Sequence, residues 1–316
     1  MILRPANKDE LARALRAASQ QTARIERVDL GALDRLLQHT PEDMTVTVEA
    51  GVTLAGLQAA LARQGQWLPV DPPNPESLTM AALLSTNASG PRRFGFGTIR
   101  DHLIGLQVAL ADGRLVRSGG KVVKNVAGYD LMKLFVGSRD SLGLIVEATF
   151  KLLPLPEAER FVQVPCDSPE EAGSILDRVF ESELTPVVLD LHNGSAAPPA
   201  RGRHHLILGF SGTSEDVAWQ VAQAATLGIA APATLDDEQH FWSSRLGEPH
   251  HLSVLPSRLV ETLRHLGEVP YLARAGNGII YHWTGTPPSK ADRPDKLLRR
   301  LKDTFDPKHT LPELPA

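Results

Sequence analysis

Thr45-Val46-Thr47-Val48-Glu49-Ala50-Gly51-Val52-Thr53 is the stretch on which the fold turns. From Met44 to Ala50 the residues alternate. Met44, Val46 and Val48 fall on one side and Thr45, Thr47 and Glu49 on the other, which predicts a strand with one buried face. Gly51 ends it. Thr53 then caps a helix whose buried stripe is Leu54, Leu57, Ala60 and Leu61. Upstream, Leu11, Ala14, Leu15 and Ala18 recur at helical spacing over Lys8 to Gln21, with Asn7 as N-cap and Glu10 three residues on.

Downstream, Trp67 to Pro75 holds four prolines in seven residues and is expected to be a stiff, extended loop. Leu78 to Ser85 reads as a short buried helix. Thr86 to Gly97 is small, polar and glycine-rich. Leu106–Ala111 and Arg114–Ser118 flank Asp112-Gly113, a strong hairpin signal. Val122–Val136 reads as a loop and short helix. Leu142–Leu153 is β-rich until Pro154 and Pro156, so a domain boundary is expected near Pro154–Glu159. Beyond it come strands at Phe161–Pro165, Val187–Leu191, His205–Phe210 and Gly278–Trp283. Helices are expected at Pro169–Phe180, Ser214–Leu227, Ser257–Leu266 and Asp292–Phe305, with a further element at Phe241–Leu246. That order fits an α+β layer arrangement.

The 316 residues suit two domains, and a hydrophobic share of 42% supplies a sizeable core. A net charge of −4 argues against a basic nucleic-acid binder or a polybasic membrane anchor. Few aromatics (5%) argue against a base-stacking surface. A lone Cys166 excludes an internal disulfide framework and a cysteine metal site. No apolar run reaches spanning length and the N-terminus lacks a signal-peptide core, so a cytoplasmic protein is expected.

Candidate chemistry concentrates in a few segments. Thr86-Asn87-Ala88-Ser89-Gly90 is either a plain turn or a loop whose amides approach a ligand, with Asn87 able to donate and accept at a heterocycle edge. Gly137 to Ile145 is either an ordinary loop-to-strand turn or a backbone open at Gly143 to a planar ring. Lys121 and Lys124 can meet a carboxylate or phosphate, or be solvated. Arg100-Asp101 reads as a local ion pair. The chain has no Gly-x-Gly-x-x-Gly, no Gly-x-Ser-x-Gly and no His-Glu-x-x-His, and adjacent His204 and His205 point to opposite faces of their strand. No metal site and no catalytic residue is nominated.

Six segments in order carry a resemblance: Thr45-Val-Thr-Val-Glu-Ala-Gly-Val-Thr53, Pro69-Val-Asp-Pro-Pro73, Ser85-Thr-Asn-Ala-Ser-Gly90, Phe96-Gly-Thr-Ile-Arg-Asp101, Lys124-Asn-Val-Ala-Gly-Tyr-Asp130 and Gly143-Leu-Ile-Val-Glu-Ala-Thr-Phe150. Together they resemble the FAD-binding domain of the vanillyl-alcohol oxidase/p-cresol methylhydroxylase flavoproteins. Within that family they are similar to the smaller FAD-binding subunit of bacterial glycolate oxidase. The resemblance is strong over residues 41–156 and weaker beyond; Phe305-Asp306-Pro307 is similar to the family's closing segment.

The resemblance implies an α+β, two-subdomain FAD-binding fold with a C-terminal ferredoxin-like cap: residues 1–156 for the FAD-binding domain and 157–316 for the cap or substrate domain. It implies FAD held non-covalently by Pro69, Asp71 and Pro72, by Thr86, Asn87, Ala88, Ser89 and Gly90, by Asp101, and at the adenine end by Gly143 and Ile145. The implied activity is FAD-dependent oxidation of a small 2-hydroxy acid such as glycolate or lactate. The implied partners are glycolate-oxidase-type flavoprotein and iron–sulfur subunits, in a complex at the inner face of the membrane. Two departures stand against it. Thr22 to Leu30 lacks the family's glycine-rich pyrophosphate loop, and Ala81-Ala82 replaces a Gly-Gly. They leave a second reading open, a flavin-less structural subunit of such a complex. Ala275-Gly276-Asn277-Gly278 with His282 resembles a remnant of the family's metal-binding histidine motif.

Overall fold

The structure, a computed structural model, describes residues 1–120, 130–193, 204–243, 249–283 and 295–314. Lys121 and Lys124, and most of the Lys124–Asp130 motif, lie outside them. The chain forms two compact units: residues 1–90, 97–155 and 292–316 make the first, and 91–96 with 156–291 the second. The single division after residue 156 expected from sequence therefore differs twice. A short stretch beginning at Pro91 joins the second unit, and the C-terminal helix Asp295–Phe305 belongs to the first.

In unit 1, helix α1 (Lys8–Gln21) begins where sequence places it. Asn7 Oδ1 accepts the Glu10 N–H at 2.9 Å, and the Glu10 carboxylate accepts the Ala6 N–H at 2.8 Å. Thr22 ends it in the left-handed region (φ 53°). Its buried stripe is Leu11, Leu15 and Ala18, each leucine contributing about 1.5–3 kcal/mol by burial. α1 links two short parallel strands, Ile2–Leu3 and Arg27–Val28.

The main sheet of this unit has five antiparallel strands: β1 (Leu36–Thr40), β2 (Thr45–Glu49), β3 (Leu103–Ala109), β4 (Leu115–Gly119) and β5 (Leu144–Lys151). They run in the order β1-β2-β5-β3-β4. Val46 pairs with Phe150 and Val48 with Ala148, which gathers the apolar side chains on one face. Helices α2 (Leu54–Ala62) and α3 (Met80–Thr86) pack their leucines into the same core, as does the C-terminal helix through Leu301 and Phe305. The opposite face carries Thr47 and Thr149, whose hydroxyls are 2.9 Å apart, and charged Glu49 and Glu147.

Unit 2 is built on β6 (Ala158–Cys166), α4 (Pro169–Glu181), β7 (Val188–His192), β8 (His204–Gly212), α5 (Ser214–Thr226) and β9 (Ala231–Pro232). These four strands lie in the order β9-β6-β8-β7, which is the 4-1-3-2 pattern of a ferredoxin-like βαββαβ unit. After helix α6 (Asp236–Ser243), the sheet continues through β10 (His250–Ser253), helix α7 (Leu259–Leu266), β11 (Tyr271–Arg274) and β12 (Ile279–His282). The full order is β9-β6-β8-β7-β11-β12-β10. Among the described residues no helix is long and apolar enough to cross a membrane.

Candidate functional site

The loop Thr86–Gly90 leaves α3 at Asn87, which adopts φ 52° and so turns the chain sharply. The Asn87 side chain is half-buried, and its Oδ1 has no hydrogen-bond partner among the described residues. A buried acceptor without a donor costs about 1–3 kcal/mol. Such an atom fits a ligand that presents an N–H, as a flavin or adenine edge does. The neighbouring turn 137–141 lies against this loop: the Gly137 N–H donates to Leu84 O and the Arg139 N–H to Ser85 O, both at 2.9 Å. Arg139 (φ 49°) and Asp140 (φ 63°) are successive left-handed residues. Burial pushes the Asp140 carboxyl up to about 6. Sequence reading passed over Asp140; its signal is an acidic residue placed where the backbone favours Asn, Asp or Gly.

Asp71, which lies between Pro69 and Pro72, meets the same loop at Gly90 through its main chain. A Cβ on Gly90 would stand 1.9 Å from Asp71 O, so only glycine lets the two backbones meet. Pro69, Pro72, Ser89 and Gly90 are buried, Asp71 and Ala88 half-buried, Thr86 exposed. These positions and Asn87 are thus brought together.

Gly143, Ile145 and Asp101 are placed differently. Gly143 is buried, and a Cβ there would meet Val108 Cγ1 at 2.6 Å and Phe135 Cε1 at 3.1 Å, so packing accounts for the glycine. On the side a Cβ would occupy, those side chains fill the space beside Gly143. Ile145 is a core residue, 1% exposed. Asp101 caps a short helix, Ile99–His102, by accepting the Thr98 N–H at 2.8 Å and hydroxyl at 3.0 Å. Partial burial raises its pKa, but those bonds from Thr98 outweigh it and the net direction is down. Asp101 borders a separate hollow of about 360 Å³ with Asp130 and Lys133.

The two departures from the family pattern also have a structural reading. Ala81 packs against the buried cluster that includes Leu11, Leu15 and Leu33, and its N–H donates to Ala50 O at 2.7 Å. The Ala82 N–H donates to Thr79 Oγ1 at 3.2 Å. Between α1 and β1, the Asp29 carboxylate accepts the Gly31 N–H at 3.0 Å and the Leu33 N–H donates to Leu30 O. A Cβ on Gly51 would lie 2.3 Å from Leu30 O. These amides are spent within the protein, and a carboxylate holds the place of an anion. The residues present fit the ring end of a flavin nucleotide at Asn87; the N–H groups of Gly31 and Leu33 are already taken and do not serve its diphosphate.

In unit 2 a second polar site was missed from sequence. Asp190 and Arg274 are register partners on adjacent strands, and the Arg274 guanidinium is 1% exposed. Nη1 donates to Asp190 Oδ2 at 2.5 Å, while Nη1 and Nη2 donate to the two oxygens of Glu238, each at 2.5 Å. Burial alone would pull this guanidinium's pKa down; Asp190 and Glu238 more than reverse it. The Ala275–Gly278 motif is a turn between β11 and β12. A Cβ on Gly276 would strike the Phe94 ring at 2.2 Å, and one on Gly278 (φ +67°) would lie 2.0 Å from Val254 O. Its glycines answer to backbone packing, and among the described residues no group of three His, Cys, Asp or Glu is arranged for a metal.

Comparison with known proteins adds to this geometry. Residues 24–119 match the family model described as FAD binding domain. The glycolate oxidase subunit GlcD of Bacillus subtilis is 30% identical over 208 residues, 60% of this chain and 44% of that one. The glycolate oxidase subunit GlcE of Escherichia coli is 39% identical over 124 residues, 39% of this chain and 35% of that one. The D-lactate dehydrogenase of Archaeoglobus fulgidus is 31% identical, covering 62% and 47%. In each case the match spans less than half of the relative's length. Among solved structures, an alkyldihydroxyacetonephosphate synthase superposes with a TM-score of 0.72 at 16% identity, over 98% of this chain and 76% of that one, a likeness of fold. Residues 24–119 thus match an FAD binding domain, and the chain shares the fold of that synthase.

Proposed function

We propose that this chain is an FAD-dependent oxidoreductase subunit acting on a small 2-hydroxy acid such as glycolate or lactate. In this reading it works beside glycolate-oxidase-type flavoprotein and iron–sulfur subunits, in the cytoplasm or at the inner membrane face. The observation that carries it is the orphaned Oδ1 of Asn87 in a loop inside the matched domain. Asn87 accepts an N–H of the ring system, and Ala88, Ser89 and Gly90 offer main-chain groups beside it. Pro69, Asp71 and Pro72 form the facing wall and Thr86 the open rim. Gly143 and Ile145 contribute through backbone alone, and Asp101 through the order it gives the Ile99–His102 turn. Bound FAD supplies the two-electron acceptor for the alcohol carbon; the protein's part is binding and orientation.

The test is the visible spectrum of the purified chain, alone and co-expressed with its partner subunits. Bound flavin that bleaches on adding glycolate or D-lactate is the expected result. The self-satisfied turn at Asp29–Leu33 favours a second reading, a flavin-less structural subunit. A colourless protein that takes up no added FAD yet co-purifies with a flavoprotein would establish that reading and overturn the first.

A further inference from the structure

The carboxylates on Arg274 are not equivalent. Asp190 sits on β7, held in register between β8 and β11. Glu238 arrives on α6, a helix of eight residues, and sets its two oxygens on Nη1 and Nη2 as a free carboxylate meets an arginine. Oε1 of Glu238 also accepts the Trp242 indole N–H at 2.8 Å. The Trp242 ring packs edge-on to Tyr281 at 5.1 Å, and the Tyr281 ring centre lies 6.0 Å from the guanidinium carbon. Two carboxylates thus converge on one guanidinium in a buried place. Meanwhile Nε of Arg274, fully buried, finds no acceptor among the described residues. The resident carboxylates thus leave one face of the guanidinium, at Nε, unmet.

We propose that Arg274 is a receptor for a small carboxylate anion and that Glu238 is its built-in stand-in. A ligand carboxylate takes the two N–H bonds from Glu238, a one-for-one exchange that leaves the charge at Arg274 unchanged. Glu238 then moves out with α6, and Trp242 loses its acceptor. Asp190 keeps the guanidinium fixed throughout. The ligand class is a short carboxylate with a second oxygen on the neighbouring carbon, which can accept from Nε. The inference deepens the 2-hydroxy-acid reading and rests on it for the ligand's identity, but its readout needs no flavin.

The experiment titrates the full chain with glycolate, D-lactate and acetate, and with neutral glycolamide as control, at constant ionic strength. Tryptophan fluorescence and the thermal midpoint are followed. The carboxylates are expected to give saturable changes and glycolamide none. Glu238→Ala removes the competitor and is expected to tighten binding by about tenfold or more; Arg274→Gln abolishes it. Should Glu238→Ala fail to fold, Glu238→Gln, which keeps the shape without the charge, is expected to shift affinity in the same direction. A folded Glu238 variant that binds no tighter than wild type, or an equal response to glycolamide, overturns the proposal. A preparation that binds carboxylate but is never reduced by it sinks the redox reading alone. A glycolate-reducible flavoprotein whose KM is unmoved by Arg274→Gln and Glu238→Ala sinks this one alone.

Discussion

Lys302→Met tests what closes the first unit. The Lys302 side chain is buried, with its ammonium 2.7 Å from Asp306 Oδ2, 2.9 Å from Ser141 O, 2.8 Å from Pro312 O and 3.2 Å from Leu311 O. Asp306 has no exposure and also accepts the Thr310 N–H at 2.9 Å and the Leu311 N–H at 2.8 Å. Methionine keeps the stem's packing but leaves the Asp306 carboxylate buried with two neutral donors. Removing one partner of a buried pair costs about 3–5 kcal/mol. At roughly 2–4 °C per kcal/mol for a unit of this size, the first unit's transition should fall by roughly 6–20 °C. Differential scanning calorimetry of the whole chain reads it. Adding Asp306→Asn to Lys302→Met removes the stranded charge and should recover part of the loss, because the amide oxygen still accepts from one of the two N–H groups, of Thr310 or of Leu311, that the carboxylate served with separate oxygens. A loss below about 1 kcal/mol, or a double variant no better than the single, would refute the argument that charge pairing holds this segment.

Three further outcomes are expected. Asp140 is raised from 3.8 to about 6 by burial, so its unfolded form ionises first. Its penalty is absent below pH 4, grows as pH rises toward 6, and is constant above at up to about 3 kcal/mol. Asp140→Asn should therefore be the more stable protein at pH 7, with the gap closing at pH 4; a pH-independent difference in urea unfolding would count against it. Gly90→Ala places a methyl where Asp71 O stands and should cost about 1–3 kcal/mol and strip flavin from the protein, read as the ratio of flavin to protein absorbance; full retention would dissociate these loops from the cofactor. Cys166, 1% exposed, has its thiol pushed up to about 11 by burial and by Glu171 and Asp167. It should resist thiol reagents at pH 8 until urea opens the second unit; immediate labelling would contradict its burial.

Local chemistry carried much of the fold into view before any coordinates. Asn7 and Glu10 fixed the start of α1, Thr53 the start of α2, and Asp112-Gly113 joined β3 to β4. Strand β1 escaped because it is an edge strand: Leu36 and Leu37 are both exposed at 39%, so no alternation marks it. Strand β11 escaped because a charged residue, Arg274, is buried at its end, which pattern reading takes for surface. The Asn87 loop was legible because its chemistry is contiguous. The Arg274 cluster was not, since Asp190 lies 84 residues away and Glu238 36, and sheet register alone unites them. The return of the C-terminal helix was hidden for the same reason: Lys302 finds Ser141 across 161 residues.

That return governs the order in which the molecule can be made. Every strand of the seven-stranded sheet has been synthesised by His282, whereas the first unit lacks Leu301, Phe305 and the Lys302 anchor until the stretch from Leu301 to Pro312 leaves the ribosome. The segment translated first is thus the one completed last, and its leucine-lined face must wait uncovered meanwhile. Chain shortening at the far end, or a stall there, should injure the nucleotide-binding half before it touches the other.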